Sequence, residues 1–577
     1  MPDTAFDAVI IGGGTKGLFL AMYLTKYANM SVGIFERRHE IGGGLATEEI
    51  AAPGFRGNTH ASIQLPWYYL PLWRDFPEFW EYGARIDQYL VSEGAVFGNN
   101  QTCLAIYSQK DDPTQERTAK EIARFSERDA DRWVKLWDLF ASEELQLVQM
   151  DMLFHPAEER MEKGIMERQA AAYPKIVEAG FEPDSLVFAA SHLRAAREYW
   201  ESKELQYCAV RFALSGAFDV THPGNGAQAF AITATLPTIS FARGGTHMVA
   251  HAAHQILVKN GCRFFTHSEV DKVIVENGGA TGIRLADGTE IGARKLVVSA
   301  GLNPLQVCFD LLGREYFHYQ AARRVELLEH TFGCLMWYTF ALHEAPQYEA
   351  ATFNPDINRA YWLGLSEDNN PERIARECLW SRLGKFSPME DFAPVVWCHS
   401  LFDSAFAPPG KHTASTEQLA PPASAFTMKE WKEIKTRYAE ELLTFWKKFA
   451  PNMTDANVIG VDTNSPLDHC RLKNMAPNGN MSSIDHVPYQ FAENRPTPEL
   501  ANHRLPVKNF YATGAAWHSG ANSGSTEAYN CYRIIAKDMN LPKPWEDPGK
   551  EEPYSLYEQW KNINQKIREI PRENKSE

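Results

Sequence analysis

The sequence predicts an α/β protein that opens with a Rossmann-type, dinucleotide-binding βαβ unit. An apolar run, Ala8–Ile11, enters a glycine turn at Gly12–Gly17, and an apolar helical pattern follows over Leu18–Tyr27. A second apolar run, Ser31–Phe35, ends in Glu36. A carboxylate about 20 residues after such a glycine turn is typical of units that bind a dinucleotide. An ordinary glycine-rich turn without a ligand would not need all of these parts in this order.

Each part of the turn has a physical reason. Gly12 permits the tight turn, Gly14 lets the backbone approach a pyrophosphate, and Gly17 lets the helix pack closely on the strand. The helix N-terminus presents unpaired N–H groups and the positive end of its dipole to the phosphates. A carboxylate at the end of the second strand accepts hydrogen bonds from a ribose. The predicted binding residues are Gly12, Gly14, Thr15, Lys16, Gly17 and Glu36.

Composition limits the function classes. A chain of 577 residues is long enough for two or more lobes. Its net charge of −15 argues against binding nucleic acid or anionic lipid electrostatically. No apolar run reaches the roughly 18 residues that span a bilayer, and Asp3 and Asp7 argue against a signal peptide. The nine cysteines, without a CxxC pair, indicate reduced thiols and no metal site. We therefore expect a cytoplasmic protein; peripheral membrane contact and self-association stay open.

Periodicity predicts mixed architecture beyond the first unit. Helical patterns cover Thr118–Gln169, His247–Asn260 and Trp431–Phe449. Short apolar or alternating runs predict strands in two groups, one before residue 300 and one after residue 334. They are Arg263–Thr266, Asp271–Val275, Ala280–Leu285 and Lys295–Ser299, then Leu335–Leu342, Ala360–Leu365 and Val395–Leu401, with a last short strand at Phe510–Gly514.

A second glycine cluster identifies the nucleotide. Glu36 is followed by Arg37 and, a few residues on, by Gly42-Gly43-Gly44-Leu45. This stretch resembles the second half of the FAD fingerprint in flavoproteins of the amine oxidase and phytoene desaturase superfamily. The resemblance implies that FAD binds here, with Arg37, Gly43, Gly44 and Leu45 among its contacts. A flexible surface loop is the alternative interpretation.

Further motifs extend the resemblance along nearly the whole chain, in the family's order. They are Gly54-Phe55-Arg56, Phe125–Ala130, Arg243-Gly244-Gly245, Glu269–Val273, Ala280-Thr281-Gly282, Ala407–His412 and Phe510–His518. The sequence resembles phytoene desaturase-like FAD-dependent oxidoreductases, the group that includes carotenoid desaturases, carotenoid isomerases and retinol saturase. The resemblance implies a Rossmann-type FAD-binding domain interleaved with a mixed-sheet and helical substrate-binding domain.

The interleaving implies a discontinuous domain division. We expect residues 1–70, 236–305 and 500–545 to form the FAD lobe, and residues 71–235 and 306–499 the substrate lobe. The charged segment 546–577 is expected to be a surface helix or a loose tail. By resemblance, the distant parts of the FAD lobe add binding residues: Val270, Ala300, Gly301, Gly514, Ala521 and Asn522.

The resemblance also places three acid–base candidates near the flavin ring: His60, His518 and Glu527. Histidine suits proton transfer because its ordinary pKa is near neutral. The structural alternatives are a hydrogen-bonded loop histidine for His60, a turn-shaping residue for His518, and a helix-capping carboxylate for Glu527. Asn522 stands where the family commonly has glycine, so its amide is expected to orient a polar substrate group.

Departures from the family's motifs limit the class of substrate that we expect. The turn after His518 reads Ser519-Gly520-Ala521-Asn522, and its added side chains leave less room for a long polyene. We therefore expect a smaller or more functionalised apolar substrate, oxidised by hydride transfer to flavin N5 to form a C=C or related bond. Oxygen or a quinone would reoxidise the flavin, since only one dinucleotide fingerprint is present.

Other functions remain open at this stage. One is a flavin amine oxidase with an aromatic cage that includes Trp517 and Tyr529. Another is a family member that uses reduced FAD for saturation or isomerisation. A third, a prenyl-binding protein of related fold without catalysis, is disfavoured by the intact fingerprint.

Overall fold

Two seven-stranded sheets organise the chain. The structure, a computed structural model, describes residues 5–182, 184–520 and 523–572. Ala521 and Asn522, two of the residues expected to bind FAD, lie outside this part. The strands are β1 Ala5–Ile11, β2 Val32–Phe35, β3 Thr47–Ala52, β4 Phe55–Asn58, β5 Ile86–Asp87, β6 Val91–Phe97, β7 Thr102–Tyr107, β8 Phe241–Ala242, β9 Arg263–Phe265, β10 Val270–Glu276, β11 Gly279–Leu285, β12 Glu290–Ala300, β13 Cys334–Leu342, β14 Ala360–Ser366, β15 Val395–Cys398, β16 His412–Ala420, β17 Val458–Asn464 and β18 Phe510–Thr513.

The first sheet contains the predicted nucleotide-binding strands. Its order is β10-β11-β12-β1-β2-β9, and β18 pairs with the carboxyl half of β12. β1 lies parallel to both β2 and β12, and β9 and β18 extend the parallel region. The strands therefore come from three separate stretches of the chain. This is the interleaving that the resemblance implied, although the domain boundaries themselves stay a prediction.

The second sheet has the order β17-β13-β16-β15-β14-β6-β7 and is mostly antiparallel. Three of its strands match the predicted group after residue 334. The sequence analysis missed β16, because its residues, His412–Ala420, are mostly polar or small. Eight of its nine residues are nevertheless buried, since the strand lies in the interior of the sheet between β13 and β15.

Helices connect many of these strands along the chain. They are α1 Thr15–Lys26, α2 Leu70–Asp75, α3 Glu78–Glu81, α4 Glu116–Ala123, α5 Glu127–Ala141, α6 Glu143–Phe154, α7 Lys163–Glu178, α8 Ser185–Ala189, α9 His192–Tyr199, α10 Lys203–Ser215, α11 Gln228–Ala234, α12 His247–Lys259, α13 Tyr319–Glu326, α14 Glu372–Arg382, α15 Met428–Trp446, α16 Pro466–Lys473, α17 Thr526–Met539 and α18 Tyr554–Glu569. Within the described ranges, none of these helices combines the length and apolarity that crossing a membrane requires.

The carboxyl-terminal segment contains an ordered helix. In α18, Leu556, Trp560, Ile563 and Ile567 are buried in the largest hydrophobic core, while the charged side chains of the helix face outward. Of the two forms expected for this segment, the structure has the surface helix over Tyr554–Glu569. The physical reason is a stripe of apolar residues at helical spacing, whose burial stabilises the docked helix.

Candidate active site

A large cavity, of about 1150 Å³, begins at the carboxyl ends of the parallel strands. Ile11 at the end of β1, Glu36 after β2 and Gly301 after β12 all line it. In open α/β sheets, ligands bind in this crevice because side chains and helix N-termini converge there. The first sheet therefore places the predicted dinucleotide residues around one space.

The three fingerprint glycines have different surroundings. A Cβ on Gly12, whose φ is +101°, would lie 2.4 Å from the Ala300 carbonyl oxygen. A Cβ on Gly17 would lie 2.4 Å from the Gly12 carbonyl oxygen. A Cβ on Gly14 would meet nothing nearer than the Gly43 Cα, 3.8 Å away, and would enter the cavity. Gly12 and Gly17 are thus required by the protein itself, whereas the space at Gly14 is open for a ligand.

The second glycine cluster packs directly on the first. The Gly42 N–H donates to the Gly13 carbonyl at 2.8 Å, and Gly42 and Gly14 form an isolated parallel β-bridge. Gly43 has a φ of +59°, and a Cβ there would lie 3.0 Å from the Gly14 Cα. Gly43, Gly44 and Leu45 all line the cavity. The two loops together form one backbone cradle, which a flexible surface loop would not provide.

Glu36 is fixed by the backbone beside this cradle. Its Oε2 accepts the Gly13 N–H and its Oε1 accepts the Arg38 N–H, both at 2.8 Å. Each carboxylate oxygen retains a further lone pair for a ribose hydroxyl. Arg37 also lines the cavity, and its Nη2 donates to the Arg471 carbonyl at 3.1 Å, so its guanidinium ties this loop to α16.

The distant parts of the chain reach the same cavity. Val270, at the start of β10, and Ala300 and Gly301, at the end of β12, line it. The Gly301 N–H donates to the Thr513 carbonyl at 2.7 Å, and a Cβ on Gly514 would lie 2.9 Å from the Gly301 Cα. The Gly514 backbone therefore packs closely against Gly301, and its neighbour Ala515 lines the cavity.

Glu527 lies behind the glycine turn and forms a buried ion pair. Its Oε2 contacts Lys16 Nζ, and both side chains are almost fully buried. Lys16 Nζ also donates to the Gly524 carbonyl, which ties α1 to α17. Burial lowers the pKa of Lys16, and the attraction of Glu527 opposes that shift. The carboxylate of Glu527 thus joins α1 to the start of α17, and its expected role as an acid–base group stays a prediction.

His518 is also oriented away from the cavity. Its Nδ1 lies 2.8 Å from the Ala492 carbonyl oxygen and its Nε2 lies 3.1 Å from the His155 carbonyl oxygen. The side chain is fully buried, and burial lowers its pKa to about 4. Two carbonyls hold the imidazole within the protein, and His518 is not among the described residues that line the cavity, so its expected position facing the flavin ring stays a prediction. The following residues, Ser519 and Gly520, do line the cavity.

His60 is the acid–base candidate that reaches the cavity. Its Nδ1 lies 2.9 Å from Thr59 Oγ1, and its ring lies 4.6 Å from that of His469, centroid to centroid. Its buried Nε2 has no hydrogen-bond partner among the described residues. Burial first, then His469 and the cations Lys473 and Arg38, lower the pKa of His60 well below its ordinary value. The imidazole is therefore neutral at physiological pH.

Beyond the cradle, the cavity becomes largely apolar. Its wall there combines aliphatic and aromatic side chains from α5, α6, α10, α11 and the second sheet. Among them are Leu136, Phe140, Leu153, Phe212, Phe230, Trp337 and Trp362, and Phe181 joins them from the loop after α7. A cavity of this lining suits a substrate with a large apolar body.

Several wall residues were missed by the sequence analysis. Trp337, Trp362 and Glu417 reach the cavity from the second sheet, and Ser62 reaches it from a loop after β4. Lys473–Met475 reach it from the end of α16. Alternation along β13 and β14 could have indicated which residues share a face. No local signal distinguishes Glu417 from an exposed glutamate, because its burial depends on strands distant in sequence.

The residues present fit FAD. The open space before Gly14 lies at the N-terminus of α1, where backbone N–H groups and the helix dipole favour a pyrophosphate. Glu36 offers oxygen atoms to a ribose at one end of this space. His60, with its buried Nε2 unpartnered in the described part, lies further along the same cavity. The donor and acceptor types match an adenine dinucleotide.

Comparison with known proteins gives the same result. Residues 7–404 match the DAO family, described as FAD dependent oxidoreductase. One limonene dehydrogenase subunit, from Castellaniella defragrans, is 24% identical over 94% of this chain and 97% of its own. Pyridine nucleotide-disulfide oxidoreductase domain-containing protein 2 of Mus musculus is 26% identical over 92% of this chain and 94% of its own. A neurosporene-forming phytoene desaturase of Cereibacter sphaeroides is 24% identical over 49% of this chain and 51% of its own.

Among solved structures, a putrescine oxidase variant matches with a TM-score of 0.55 and 14% identity, covering 93% of this chain and 99% of its own. That likeness shows the fold: a Rossmann-type FAD domain with a substrate domain. The resemblance to phytoene desaturase-like flavoproteins is confirmed. Since the family match covers more than half of the chain, the protein belongs to the DAO family of FAD-dependent oxidoreductases and is an enzyme that uses FAD.

Proposed function

We propose that this enzyme dehydrogenates a small apolar or amphipathic substrate, forming a C=C or related unsaturated bond. The observation that supports it is the cavity, which runs continuously from the glycine cradle into an apolar chamber of aromatic and aliphatic side chains. Bound FAD would supply the two-electron chemistry by accepting a hydride, and oxygen or a quinone would reoxidise it. Two relatives are named for limonene and phytoene, both hydrocarbons, which agrees with an apolar substrate.

The chain's own residues would bind and orient the cofactor. Gly12, Gly14, Thr15 and Lys16 line the cavity and would hold the pyrophosphate at the N-terminus of α1. Gly17 would act indirectly, by letting α1 pack against the Gly12 carbonyl. The remaining proposed contacts are Glu36, Arg37, Gly43, Gly44, Leu45, Val270, Ala300 and Gly301, all of which line the cavity. Gly514 would act indirectly by supporting Gly301. Ala521 and Asn522, outside the described residues, stay predictions.

His60 is the proposed proton-accepting group. Dehydrogenation releases one proton for each hydride that leaves the substrate, so a neutral acceptor at the cavity wall is useful. Burial and nearby cations lower the pKa of His60, so the imidazole is neutral before the reaction and would pass an accepted proton on rather than keep it. Its Nε2, unpartnered in the described ranges, is the atom that would take the proton.

The amine oxidase alternative has less support. Trp517 packs in the core below the first sheet, and Tyr529 hydrogen-bonds Arg74 at 3.0 Å. Both are fully buried there, so neither supplies the aromatic cage that this alternative needed. The likeness to putrescine oxidase, at 14% identity, concerns the fold alone.

Anaerobic flavin reduction tests the proposal. Purified holoenzyme would be mixed with limonene and other hydrocarbons, with putrescine and with 1-octanol, and bleaching of the flavin's visible absorbance recorded. We expect a hydrocarbon or an alcohol to bleach the flavin, and oxygen or a quinone to restore the colour without NAD(P). Bleaching by putrescine alone, or strict dependence on NAD(P), would contradict the proposal.

Two variants in α11 test whether the substrate reacts while bound in the apolar chamber. Ala234→Leu adds bulk to a buried residue of the cavity wall and should slow reduction while FAD remains bound. Ala229→Leu, on the same helix and partly exposed, is the matched control. Equal rates of flavin reduction in both variants would show that the apolar chamber does not hold the reacting substrate.

A further inference from the structure

A buried carboxyl interrupts the apolar wall of the chamber. Glu417, in β16, is 3% exposed and lines the cavity. It pairs with Trp337 across β13 and with Val395 across β15, so its side chain lies on the same face of the sheet as theirs. Trp337 lines the cavity as well. This sheet face therefore presents one carboxyl among aromatic and aliphatic side chains.

Glu417 belongs to a buried charged cluster. Its Oε1 lies 3.9 Å from Arg211 Nη2, an ion pair longer than a hydrogen bond. Glu93 in β6 and Glu377 in α14 also interact with Arg211, and all four side chains are more than nine-tenths buried. The cluster therefore holds three carboxyls for one guanidinium.

Protein contacts leave much of this cluster's hydrogen-bonding capacity unused. Among the described residues, no donor lies within hydrogen-bond distance of Glu417 Oε1, the oxygen nearest Arg211, and Arg211 Nε and Nη1 reach no acceptor. The neighbouring Trp337 Nε1 likewise has no acceptor there. The Ser215 hydroxyl is the side-chain donor that the Glu417 carboxyl has within this part of the protein. Burial raises the pKa of Glu417 to about 7 and that of Glu377 to about 8, so removing all three protons is costly near neutral pH.

A purely structural role explains this arrangement poorly. Buried ion pairs stabilise a fold little compared with apolar residues of similar size, because desolvation offsets their attraction. The cavity position of Glu417 would suit a leucine or methionine if the ligand were a hydrocarbon throughout. A carboxyl at this place has a use when the ligand carries a group that can donate a hydrogen bond.

We propose that Glu417 is a headgroup subsite, which binds the hydroxyl or amine of a substrate whose remaining surface is apolar. This inference rests on the proposed function and specifies its substrate class. A hydroxyl or an ammonium donates to the carboxyl, and the excess of carboxyls over guanidinium favours such donors. A substrate carboxylate is disfavoured, because it would face Glu417 and its two acidic neighbours.

Binding of four probes with one alkyl chain tests this subsite. Octane, 1-octanol, octylamine and octanoate would be titrated into holoenzyme whose flavin has been chemically reduced under anaerobic conditions, so that no probe is oxidised. The perturbation of the reduced flavin's spectrum would give each Kd. The titrations would be made at about pH 8.5, because burial raises the pKa of Glu417 to about 7 and its carboxyl is ionised above that value. A hydrogen bond to an ionised group contributes about 1.5–3 kcal/mol, so we expect 1-octanol or octylamine to bind roughly 10- to 100-fold more tightly than octane. Octanoate should bind most weakly. The tighter of 1-octanol and octylamine identifies the headgroup.

Substitutions of Glu417 test whether this residue causes the preference for 1-octanol or octylamine over octane. Glu417→Leu should abolish the preference over octane, and Arg211 keeps Glu93 and Glu377 as charge partners. If this variant does not fold, Glu417→Gln should reduce the preference at least threefold, because a neutral amide is a weaker acceptor. Asp462→Asn, a carboxyl-to-amide change in β17 of the same sheet, is the matched control and should leave the preference unchanged.

Two results would overturn the subsite: equal binding of all neutral and cationic probes to the wild type, or an unchanged preference in the Glu417 variants. The measurement needs no turnover. Failure of every hydrocarbon and alcohol to reduce the flavin would therefore refute the proposed dehydrogenation, and the headgroup preference would still be measured separately.

Discussion

Gly14 and Gly17 belong to one motif, yet alanine at the two positions should have opposite consequences. Gly14 has a φ of −69°, which any residue adopts, and a Cβ there enters open cavity. A Cβ on Gly17 would lie 2.4 Å from the Gly12 carbonyl oxygen. Gly14→Ala should therefore remove the cofactor from a folded protein, whereas Gly17→Ala should destabilise the fold.

The magnitudes follow from these contacts. If the added methyl displaces the pyrophosphate from two helix N–H groups, at about 1.5–3 kcal/mol each, FAD affinity should fall roughly 10²- to 10⁴-fold. The apoprotein should change by no more than about 1 kcal/mol, because a weaker N-cap and a stiffer unfolded chain oppose each other. Gly17→Ala forces overpacking, which costs about 1–3 kcal/mol.

Two assays separate the effects. FAD titration into apoprotein, followed by flavin fluorescence, gives the Kd, and urea unfolding of apoprotein gives the stability. Wild-type FAD affinity in Gly14→Ala would refute the argument that this glycine leaves space for a phosphate. A loss of apoprotein stability in Gly14→Ala equal to that in Gly17→Ala would refute the distinction between ligand space and protein packing.

Two other predictions concern buried titratable groups. His518→Ala should change the rate of anaerobic flavin reduction by no more than about threefold, because the imidazole faces two carbonyls. The same change should lower the unfolding free energy by about 1–3 kcal/mol. A loss of about 100-fold in the reduction rate would instead support a catalytic role for His518. Burial raises the pKa of Glu377 from 4.5 to about 8, so its neutral form stabilises the fold fully below pH 4.5, and that contribution is lost as the pH rises through about 8. Between these values Glu377→Gln should therefore gain stability relative to wild type, by at most about 1.4 kcal/mol per pH unit, and parallel stability curves would contradict the assignment.

The nucleotide half of the site could be predicted because its signals are local. A strand, a glycine turn, a helix and a second strand follow one another between Ala5 and Phe35. Within the turn, a Cβ on Gly17 would meet the carbonyl oxygen of Gly12, five residues earlier. The second glycine cluster begins a few residues later and packs on the first. The family, the fold class and the cofactor could therefore be predicted from residues that hydrogen-bond and pack close together in the sequence.

The substrate half could not be predicted in the same way. β16 is polar and small in sequence, and only the strands on both sides of it make it interior. Glu417 reaches the cavity because that strand pairs with residues about 80 positions earlier in the chain, such as Trp337. Burial of this kind depends on contacts that no local pattern records.

Side-chain direction was likewise decided by tertiary structure. His60, His518 and Glu527 were equivalent candidates in the sequence, each near a motif of the family. The fold turns His60 into the cavity, holds His518 between two carbonyls and pairs Glu527 with Lys16. The sequence by itself determined the cofactor cradle, since its geometry is set by neighbours along the chain. Which polar groups face the substrate was decided by packing between distant segments, because a side chain's partners in a core come from the whole fold.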